Sequence, residues 1–592
     1  MNRAYAYFLR SFLRPHLWAF PTLVMLGVAS AAVEGIGVAI LVPLISYLFR
    51  SPDVAVVFPL LGRATDIWPA ANQTTVLLSL LFGVLFLFAS KAAIQYLYSF
   101  VALIISKKIV LDLRASLFDS LLRADFQFVS SSSSGRMFNI VQGETWLAGE
   151  FVVAVAKGLV SLFSITAFCV ILFLLSPRLT VVSLAGLTLI GVVTIILTRR
   201  VRRRAAVAKE TSAELSSRLI ESLEALKVIK LFSREKREFR RFANIAARDR
   251  AASVDVEKAA AIIAPITEVL FAPLLLVIVA YSWSMGIPAG TLVAFLVLLY
   301  RLQPHVRMLN HVRVELSRAL PTLDHIRDVL QKPEESSGSR AFSGLARSIR
   351  FENVSFTYVG SDTAAICDAS FEIVKNRLTA FVGSSGSGKS TVAALLCRFF
   401  DPTRGTMSVD EVDVRSIRLT DWRERIAFAG QDAELLGDTI LDVISYGAED
   451  WDRDSVQDAA RAAQVHEFVA LLPDGLDTPV RRRGHRFSVG QRQRIAIARA
   501  LRKKSEILIL DEATSALDAA LQTAIETSIN ELRGKRTIVI IAHRLSTIQS
   551  ADHVIVLHQG RVIEQGSPRE LLSDKDSSFY HMWKLEHAGA SR

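Results

Sequence analysis

The sequence predicts an α-helical region with six membrane spans, followed by a soluble α/β domain built around a largely parallel sheet. Hydrophobic residues make up 51% of the 592 residues and the mean hydropathy is +0.35, which is more apolar than usual for a soluble protein. The apolar residues are concentrated in the first half, whereas from residue 349 short β-rich runs alternate with helical segments. This composition excludes the disordered, collagenous and coiled-coil classes, and the 3 cysteines are too few for a disulfide framework.

Six apolar stretches are each long enough to cross a hydrocarbon core of about 30 Å at roughly 1.5 Å per residue. They cover approximately residues 17–49, 74–106, 148–175, 179–198, 259–285 and 289–309. The third and fourth are separated only by Ser176, Pro177 and Arg178, which predicts a tight hairpin. The N-terminal residues predict an amphipathic helix that leads into the membrane rather than a signal peptide, because the following apolar stretch is too long for one.

The positions of the basic residues predict how the spans are oriented. Lys and Arg are abundant at the N-terminus and in residues 107–136 and 199–258, but scarce in residues 50–73 and around Gly286. Basic loops favour the cytoplasmic side, so we expect the N-terminus and the soluble domain to be cytoplasmic. The net charge of +12 is therefore a topology signal. Since no nucleic-acid-binding motif accompanies it, no nucleic-acid partner is predicted.

The chain divides into three predicted segments. Residues 1–330 form the transmembrane domain, with helix-patterned cytoplasmic loops near 107–146 and 199–258. Residues 331–348 are polar and rich in Ser and Gly, which predicts a linker. Residues 349–592 form the α/β domain, and its loops are where we expect the chemistry.

A phosphate-binding loop is indicated between the strand LTAFV and the next helix. It consists of Gly383, Ser384, Ser385, Gly386, Ser387, Gly388, Lys389 and Ser390, with Thr391 following on the helix. Glycines let consecutive backbone N–H groups face phosphates, the Lys389 ammonium reaches the β and γ phosphates, and the Ser390 hydroxyl can bind Mg²⁺. The loop predicts binding of ATP or GTP.

An acidic pair follows a second apolar strand. The run Ile507 to Leu510 ends in Asp511 and Glu512. Asp511 suits a contact to Mg²⁺ through water, and Glu512 can polarise the water that attacks the γ-phosphate. Together with the phosphate-binding loop, the pair predicts nucleotide hydrolysis.

Further motifs in the same order along the chain resemble those of ATP-binding cassette (ABC) proteins. Phe487, Ser488, Val489, Gly490 and Gln491 resemble the LSGGQ signature. Gln431 resembles the Q-loop glutamine, the run Ser515, Ala516, Leu517 and Asp518 resembles the D-loop, His543 resembles the switch histidine, and Tyr358 resembles the aromatic residue that stacks on adenine. The whole chain is thus similar to an ABC half-transporter of the type IV exporter fold.

The resemblance implies which motif residues are catalytic, which contact Mg²⁺ and which bind nucleotide from a second copy. Glu512, His543 and Gln431 would be catalytic, and Ser390, Gln431 and Asp511 would contact Mg²⁺. Two copies would face each other head to tail, with ATP held between one phosphate-binding loop and the opposite signature. Ser488, Val489, Gly490, Gln491 and Asp518 would then contact nucleotide from the second copy.

The sequence departs from the family pattern at two places. Val489 stands where the signature usually has glycine, although Ser488 and Gly490 are kept, so we expect both composite sites to work. Arg481, Arg482 and Arg483 stand where the family's cross-linking loop usually has an acid. The contact of that loop with the opposite membrane domain is therefore expected to differ.

The resemblance implies an ATP-driven exporter or flippase of the bacterial inner membrane that works by alternating access. A homodimer is expected because all catalytic positions are intact, and a heterodimer is the alternative. Candidate coupling helices lie near Ser134–Glu144 and Arg218–Lys227. Alternative functions are a multidrug or peptide exporter, an importer with the exporter fold, or an ATPase that uses its helices as an anchor or channel regulator.

Five ionisable residues inside the predicted spans bear on the substrate. They are Glu34, Lys91, Lys157, Glu268 and Arg301. Such residues are costly in a bilayer and usually face a cavity or a partner. Glu34 and Lys91 fall at similar depth, so an interhelical ion pair is one reading, and Lys157 and Glu268 also lie at comparable depth. Two copies of Arg301, with Lys157 or Lys91 nearby, would suit the anionic headgroup of a lipid or lipid-linked saccharide.

Overall fold

The computed structural model describes residues 19–48, 73–132, 134–332, 334–431, 433–448, 451–480, 487–514, 517–541 and 548–590. Its internal contacts divide the chain into two compact units. The first, the helical unit, comprises Met1–Leu122 and Ser133–Lys332, and the second, the α/β unit, comprises Arg123–Ser132 and Pro333–Arg592. The α/β unit therefore includes a short segment from the first half of the sequence.

Long helices and a few short ones form the helical unit. They are α1 (Ala19–Leu48), α2 (Gln73–Arg123), α4 (Ser134–Phe138), which continues into a π-helical turn (Asn139–Glu144), α5 (Thr145–Leu175), α6 (Pro177–Glu224), α7 (Leu226–Leu231), α8 (Glu235–Ala261), α9 (Ile263–Ser284) and α10 (Ala289–Leu330). In the described residues, 5 helices are long and apolar enough to cross a membrane. The first predicted span falls on α1, and residues Pro21–Gly37 of this helix form a shorter apolar stretch.

The predicted hairpin between the third and fourth spans is confirmed. Ser176 is extended between α5 and α6, and its hydroxyl accepts a hydrogen bond from the backbone N–H of Leu179. Pro177 occupies the first turn of α6, where its missing N–H costs nothing. The helix then runs for 48 residues, so it is about 72 Å long and continues well beyond a bilayer.

Small residues allow the helices of this unit to pack closely. A Cβ atom at Gly158 on α5 would lie 2.8 Å from a methyl group of Val312 on α10, and one at Gly149 would lie 2.6 Å from a methyl group of Val110 on α2. Between helices in lipid, such close approach supplies the van der Waals contact that replaces a hydrophobic driving force. These contacts bring α5 close to α10 and to α2.

The α/β unit contains two sheets. Its strands are β1 (Ser348–Phe356), β2 (Ile366–Val374), β3 (Leu378–Val382), β4 (Arg404–Val409), β5 (Val412–Asp413), β6 (Ile426–Ala429), β7 (Ile507–Asp511), β8 (Thr537–Ile541), β9 (His553–His558) and β10 (Arg561–Gly566). The larger sheet has the order β10-β9-β3-β8-β7-β6, and all its pairs are parallel except β10 with β9. The predicted parallel sheet is therefore confirmed, while the antiparallel sheet β2-β1-β4-β5 is additional.

The helices of the α/β unit surround these sheets. They are α3 (Phe126–Ser131), α11 (Lys389–Leu396), α12 (Leu419–Glu424), α13 (Ile440–Ser445), α14 (Arg453–Ala462), α15 (His466–Val469), α16 (Val489–Arg502), α17 (Ala519–Asn530), α18 (Pro568–Ser573) and α19 (Ser578–Ala590). Strand β8 lies between β3 and β7, so the carboxyl ends of these strands meet at one edge of the sheet. In open α/β sheets, this edge is where ligands bind.

Much of the segment predicted as a linker is fixed on the α/β unit. Arg423 donates two hydrogen bonds to the carboxylate of Glu335, at 2.6 and 3.0 Å. A Cβ atom at Gly338 would lie 2.0 Å from the carbonyl group of Ser416, so only glycine allows this approach. The polar composition of residues 334–347 therefore reflects attachment to the domain rather than a freely exposed tether.

Helix α3 belongs to the α/β unit although it follows the long helix α2. Its Phe126 ring stacks on Phe399 at a centroid distance of 4.8 Å and meets Phe400 edge-on at 5.7 Å. The backbone N–H of Glu335 donates to the carbonyl oxygen of Arg123 at 3.0 Å. This attached segment ends just before Ser134–Glu144, where a coupling helix is predicted. The coupling function of that segment and of Arg218–Lys227 stays a prediction.

Candidate functional site

The phosphate-binding loop connects β3 to α11 at the carboxyl edge of the larger sheet. Gly386 and Gly388 have positive φ angles of +79° and +104°, a conformation that favours glycine. A Cβ atom at Gly388 would also lie 2.6 Å from the carbonyl oxygen of Ala365. The glycines thus satisfy both the backbone shape of the loop and the close packing around it.

Lys389 is folded back over this loop. Its Nζ atom donates to the carbonyl oxygens of Gly383 and Ser384, both at 2.9 Å, and the residue is 5% exposed. Burial lowers the pKa of the Lys389 ammonium, while the carboxylates of Glu512 and Asp511 oppose that shift. A phosphate group would compensate the cost of burying this cation.

The acidic pair reaches the same loop from β7. The Ser390 hydroxyl donates to Asp511 Oδ1 at 3.3 Å, which places two of the three predicted Mg²⁺ contacts side by side. Glu512 follows with a φ of 48°, an uncommon conformation for a non-glycine residue that often marks a functional site. Among the described residues, no group of three or more His, Cys, Asp or Glu side chains could hold a metal. A Mg²⁺ ion here would therefore need phosphate oxygens and water as further ligands.

A cavity of about 560 Å³ joins these groups. It is lined by Tyr358, Ala365, Ser385, Gly386, Gly388, Lys389, Ser390, Thr391, Gln431 and Glu512. The Tyr358 hydroxyl and the Thr391 hydroxyl are 3.2 Å apart, and Phe400 meets the Tyr358 ring edge-on at 5.3 Å. The structure thus gathers the predicted aromatic, lysine, glutamine and glutamate residues around one cavity. Sequence reasoning missed Phe400, which a search for aromatic residues beyond the loop helix could have found.

The signature residues do not line this cavity. Ser488 caps the N-terminus of α16: its hydroxyl accepts from the Gln491 N–H at 3.1 Å, and its own N–H donates to the Gln491 side chain at 2.8 Å. Ser488 is exposed, as is Val489, while Gly490 is half-buried beside them. Asp518 similarly caps α17 through the Leu521 N–H at 2.9 Å. Within the described part of the chain, these residues therefore stand apart from the loop, as expected for contacts made to a second copy.

Several predicted residues lie outside the described residues. These are His543 of the switch motif, Ser515 and Ala516 of the D-loop, and Arg481, Arg482 and Arg483 of the cross-linking loop. Their roles stay predictions.

A second cavity, of about 460 Å³, lies in the helical unit and is called here the membrane cavity. It is lined by Ser30, Glu34, Lys91, Gln95, Tyr98, Ser99, Lys157, Val160, Ser161, Arg301, Pro304, His305 and Met308. Four of the five ionisable residues found in the predicted spans are therefore brought together. The fifth, Glu268, is exposed and does not line this cavity.

Glu34 is the most strongly engaged charge in the membrane cavity. Its Oε1 atom lies 2.5 Å from Lys91 Nζ, which confirms the predicted interhelical ion pair. Its Oε2 atom lies 3.4 Å from His305 Nε2. Arg301 stands over the Phe88 ring at 5.5 Å, a cation–π contact. Sequence reasoning missed His305, although its spacing of four residues from Arg301 places both on one face of α10.

Two family models match the chain. The ABC transporter transmembrane region matches residues 54–303, and the ABC transporter model matches residues 366–515. Together these matches include most of the helical unit and the phosphate-binding loop with its acidic pair.

Relatives match over most of their length. An ATP-dependent lipid A-core flippase of Albidiferax ferrireducens is 33% identical over 98% of this chain and 97% of its own. The heterocyst differentiation ATP-binding protein HepA of Nostoc sp. is 32% identical over 80% of this chain and 79% of its own. Among solved structures, a bacterial Atm1-family ABC exporter with ATP bound has a TM-score of 0.82 and 26% identity, covering 97% of this chain and 99% of that one.

Proposed function

The chain belongs to the ABC transporter family, and on this premise we propose that it is a homodimeric flippase for lipids with anionic headgroups in the bacterial inner membrane. It is an exporter-type half-transporter whose ATP hydrolysis is coupled to transport, with the helical and nucleotide-binding parts in one chain. The observation that carries the substrate class is the membrane cavity, where basic side chains lie among apolar helices.

The cavity of about 560 Å³ in the α/β unit supports separate roles for its residues in ATP hydrolysis. Lys389 and the backbone of its loop bind the phosphates, Tyr358 stacks on the base, and Glu512 accepts a proton from the attacking water. Ser390, Asp511 and Gln431 would hold Mg²⁺, which would neutralise charge on the phosphate oxygens. All of these side chains line one cavity except Asp511, which contacts Ser390 on the wall of that cavity.

The exposed signature supports a dimer. Ser488 and Gly490 present a helix N-terminus on the surface, where a phosphate from another chain could bind. Each chain therefore has a phosphate-binding loop that lacks a signature opposite it, and a signature that lacks a phosphate-binding loop opposite it. Two identical chains arranged head to tail would complete both.

The membrane cavity supports an amphipathic anion as the substrate. Arg301 and Lys157 line it, and neither pairs with an acid among the residues that the structure describes. A guanidinium group binds phosphate in a bidentate manner, and an ammonium group adds a flexible charge. The apolar helices around the cavity would accommodate acyl chains. The flippase relatives agree with this substrate class.

Replacing Arg301 tests the proposal. In lipid nanodiscs, Arg301→Ala should reduce the stimulation of ATP hydrolysis by anionic lipids about tenfold, because a charge-assisted contact is lost. Arg307→Ala is the matched control, since Arg307 lies on the same helix, is exposed and does not line the membrane cavity. Unchanged stimulation by every anionic lipid, together with stimulation by a neutral drug, would favour a drug exporter instead.

A further inference from the structure

The membrane cavity contains an acid that an anion-binding site does not need. Glu34 is 8% exposed, contacts Lys91 and His305, and shares the membrane cavity with Lys157 and Arg301. An acid in this position repels an anionic headgroup and lowers the attraction of the cavity for it. We therefore look for the function of Glu34 in its contacts with Lys91 and His305.

Glu34 forms a direct ion pair with one basic side chain, Lys91. The distance of 2.5 Å between its Oε1 atom and Lys91 Nζ is that of a direct charge-assisted hydrogen bond. The second carboxylate oxygen faces His305 at 3.4 Å. Both oxygens are thus directed at side chains on two other helices, α2 and α10, and the Lys91 charge is neutralised.

The remaining cations are differently placed. Arg301 contacts the face of the Phe88 ring, and Lys157 is exposed toward the membrane cavity. Within the described ranges, neither has an ion-pair partner. The number of positive charges available to a substrate is therefore two per chain rather than three.

Resting on the proposed lipid function, we propose that Glu34 is a specificity-determining residue that limits the charge of the headgroup this transporter accepts. By neutralising Lys91, it leaves Arg301 and Lys157 to bind a headgroup with a single phosphate. Without Glu34, Lys91 would become a third cation for the substrate, and headgroups with more phosphates would be favoured. Specificity is a difference between affinities, and an opposing charge is an effective way to create it.

Stability alone does not explain this pair. Buried ion pairs often add little stability compared with apolar residues of the same size, because both charges lose their hydration. In a bilayer the cost is higher still, so charged residues there usually serve transport. A pair on the wall of the membrane cavity acts directly on what enters it.

The test compares two lipids in nanodiscs. Stimulation of ATP hydrolysis is titrated with phosphatidylglycerol, which has one phosphate, and with cardiolipin, which has two, in a neutral phosphatidylcholine background. The wild type should respond at lower concentrations of phosphatidylglycerol. Glu34→Gln should shift the preference toward cardiolipin by about tenfold, since one charged contact is gained. Inorganic phosphate in place of lipid should give no shift.

Two further variants show whether Lys91 carries the effect. In Glu34→Gln/Lys91→Met, both partners are removed, so the preference should return to that of the wild type. Lys91→Met alone leaves the Glu34 charge uncompensated by lysine and should weaken stimulation by both anionic lipids. The latter variant also tests the pair if Glu34→Gln does not yield folded protein.

The outcomes separate this inference from the proposed function. If lipids stimulate the wild type but Glu34→Gln leaves the preference unchanged, the inference is overturned and the lipid function stands. The same holds if the double variant keeps the preference of Glu34→Gln. If no lipid stimulates a wild type that hydrolyses ATP, the proposed function fails, and the inference fails with it.

Discussion

Glu512 and Lys389 line the same cavity but have different chemical roles. Glu512→Gln should retain ATP binding and lower turnover by about a hundredfold or more, because the amide keeps the shape and loses the base. ATP hydrolysis and nucleotide binding are measured on the same preparation. Glu531→Gln, an exposed change on the same domain, is the control. A Glu512→Gln variant that hydrolyses ATP at the wild-type rate would contradict the role assigned to Glu512.

Lys389→Ala should act on binding instead. The lysine is folded over the phosphate-binding loop and its charge would pair with the phosphates, so its removal should weaken ATP binding at least about tenfold. Fluorescent nucleotide titration measures this change, with the exposed Lys535→Ala as control. Unchanged affinity in Lys389→Ala would argue against its contact with phosphate.

For single residues, the sequence is sufficient when the functional residues lie close together along the chain. The phosphate-binding loop is one continuous run, so its residues can be assigned without a structure. The contact of Glu34 with Lys91 could be expected because both residues lie at similar depth in the membrane. The contact of Glu34 with His305 could not be expected from the sequence. It depends on how α10 is rotated against α1, which the sequence pattern leaves open.

At the scale of elements, the strand order explains why separate motifs meet. Strands β3 and β7 are more than a hundred residues apart but are both neighbours of β8, so Lys389 and Glu512 emerge at one edge. The alternating pattern predicted the parallel sheet. It did not predict the antiparallel sheet or the attachment of residues 334–347, because both depend on pairings between distant segments.

Helix α3 offers a test of coupling. Phe126→Ala removes the ring contacts with Phe399 and Phe400, each worth about 0.5–1.5 kcal/mol beyond its buried area. Because α3 directly precedes the coupling helix predicted at Ser134–Glu144, loosening it should lower the amount of lipid moved per ATP hydrolysed. Val129→Ala on the same helix is a control because it shortens an equally exposed apolar side chain without removing either ring contact. An unchanged ratio in Phe126→Ala would show that the predicted coupling helix does not depend on these ring contacts of α3.

At the scale of the whole molecule, head-to-tail pairing predicts complementation between two inactive variants. Lys389→Ala damages the loop and Ser488→Arg damages the signature, so both lesions fall in one composite site of a mixed dimer and the other site is intact. Random mixing should restore up to about a quarter of the wild-type ATPase activity, since half of the dimers are mixed and each has one intact site. Full recovery would contradict a site shared between two chains.

We propose that ATP hydrolysis in this chain drives lipids with anionic headgroups across a membrane. The most direct measurement is the movement of a fluorescent anionic lipid between the leaflets of proteoliposomes, with ATP and Mg²⁺ supplied to the nucleotide-binding side. We predict ATP-dependent movement with the wild type, almost none with Glu512→Gln, and a strong reduction with Arg301→Ala but not with Arg307→Ala. A wild type that hydrolyses ATP without moving the lipid, or movement that persists in Glu512→Gln, would contradict the claim.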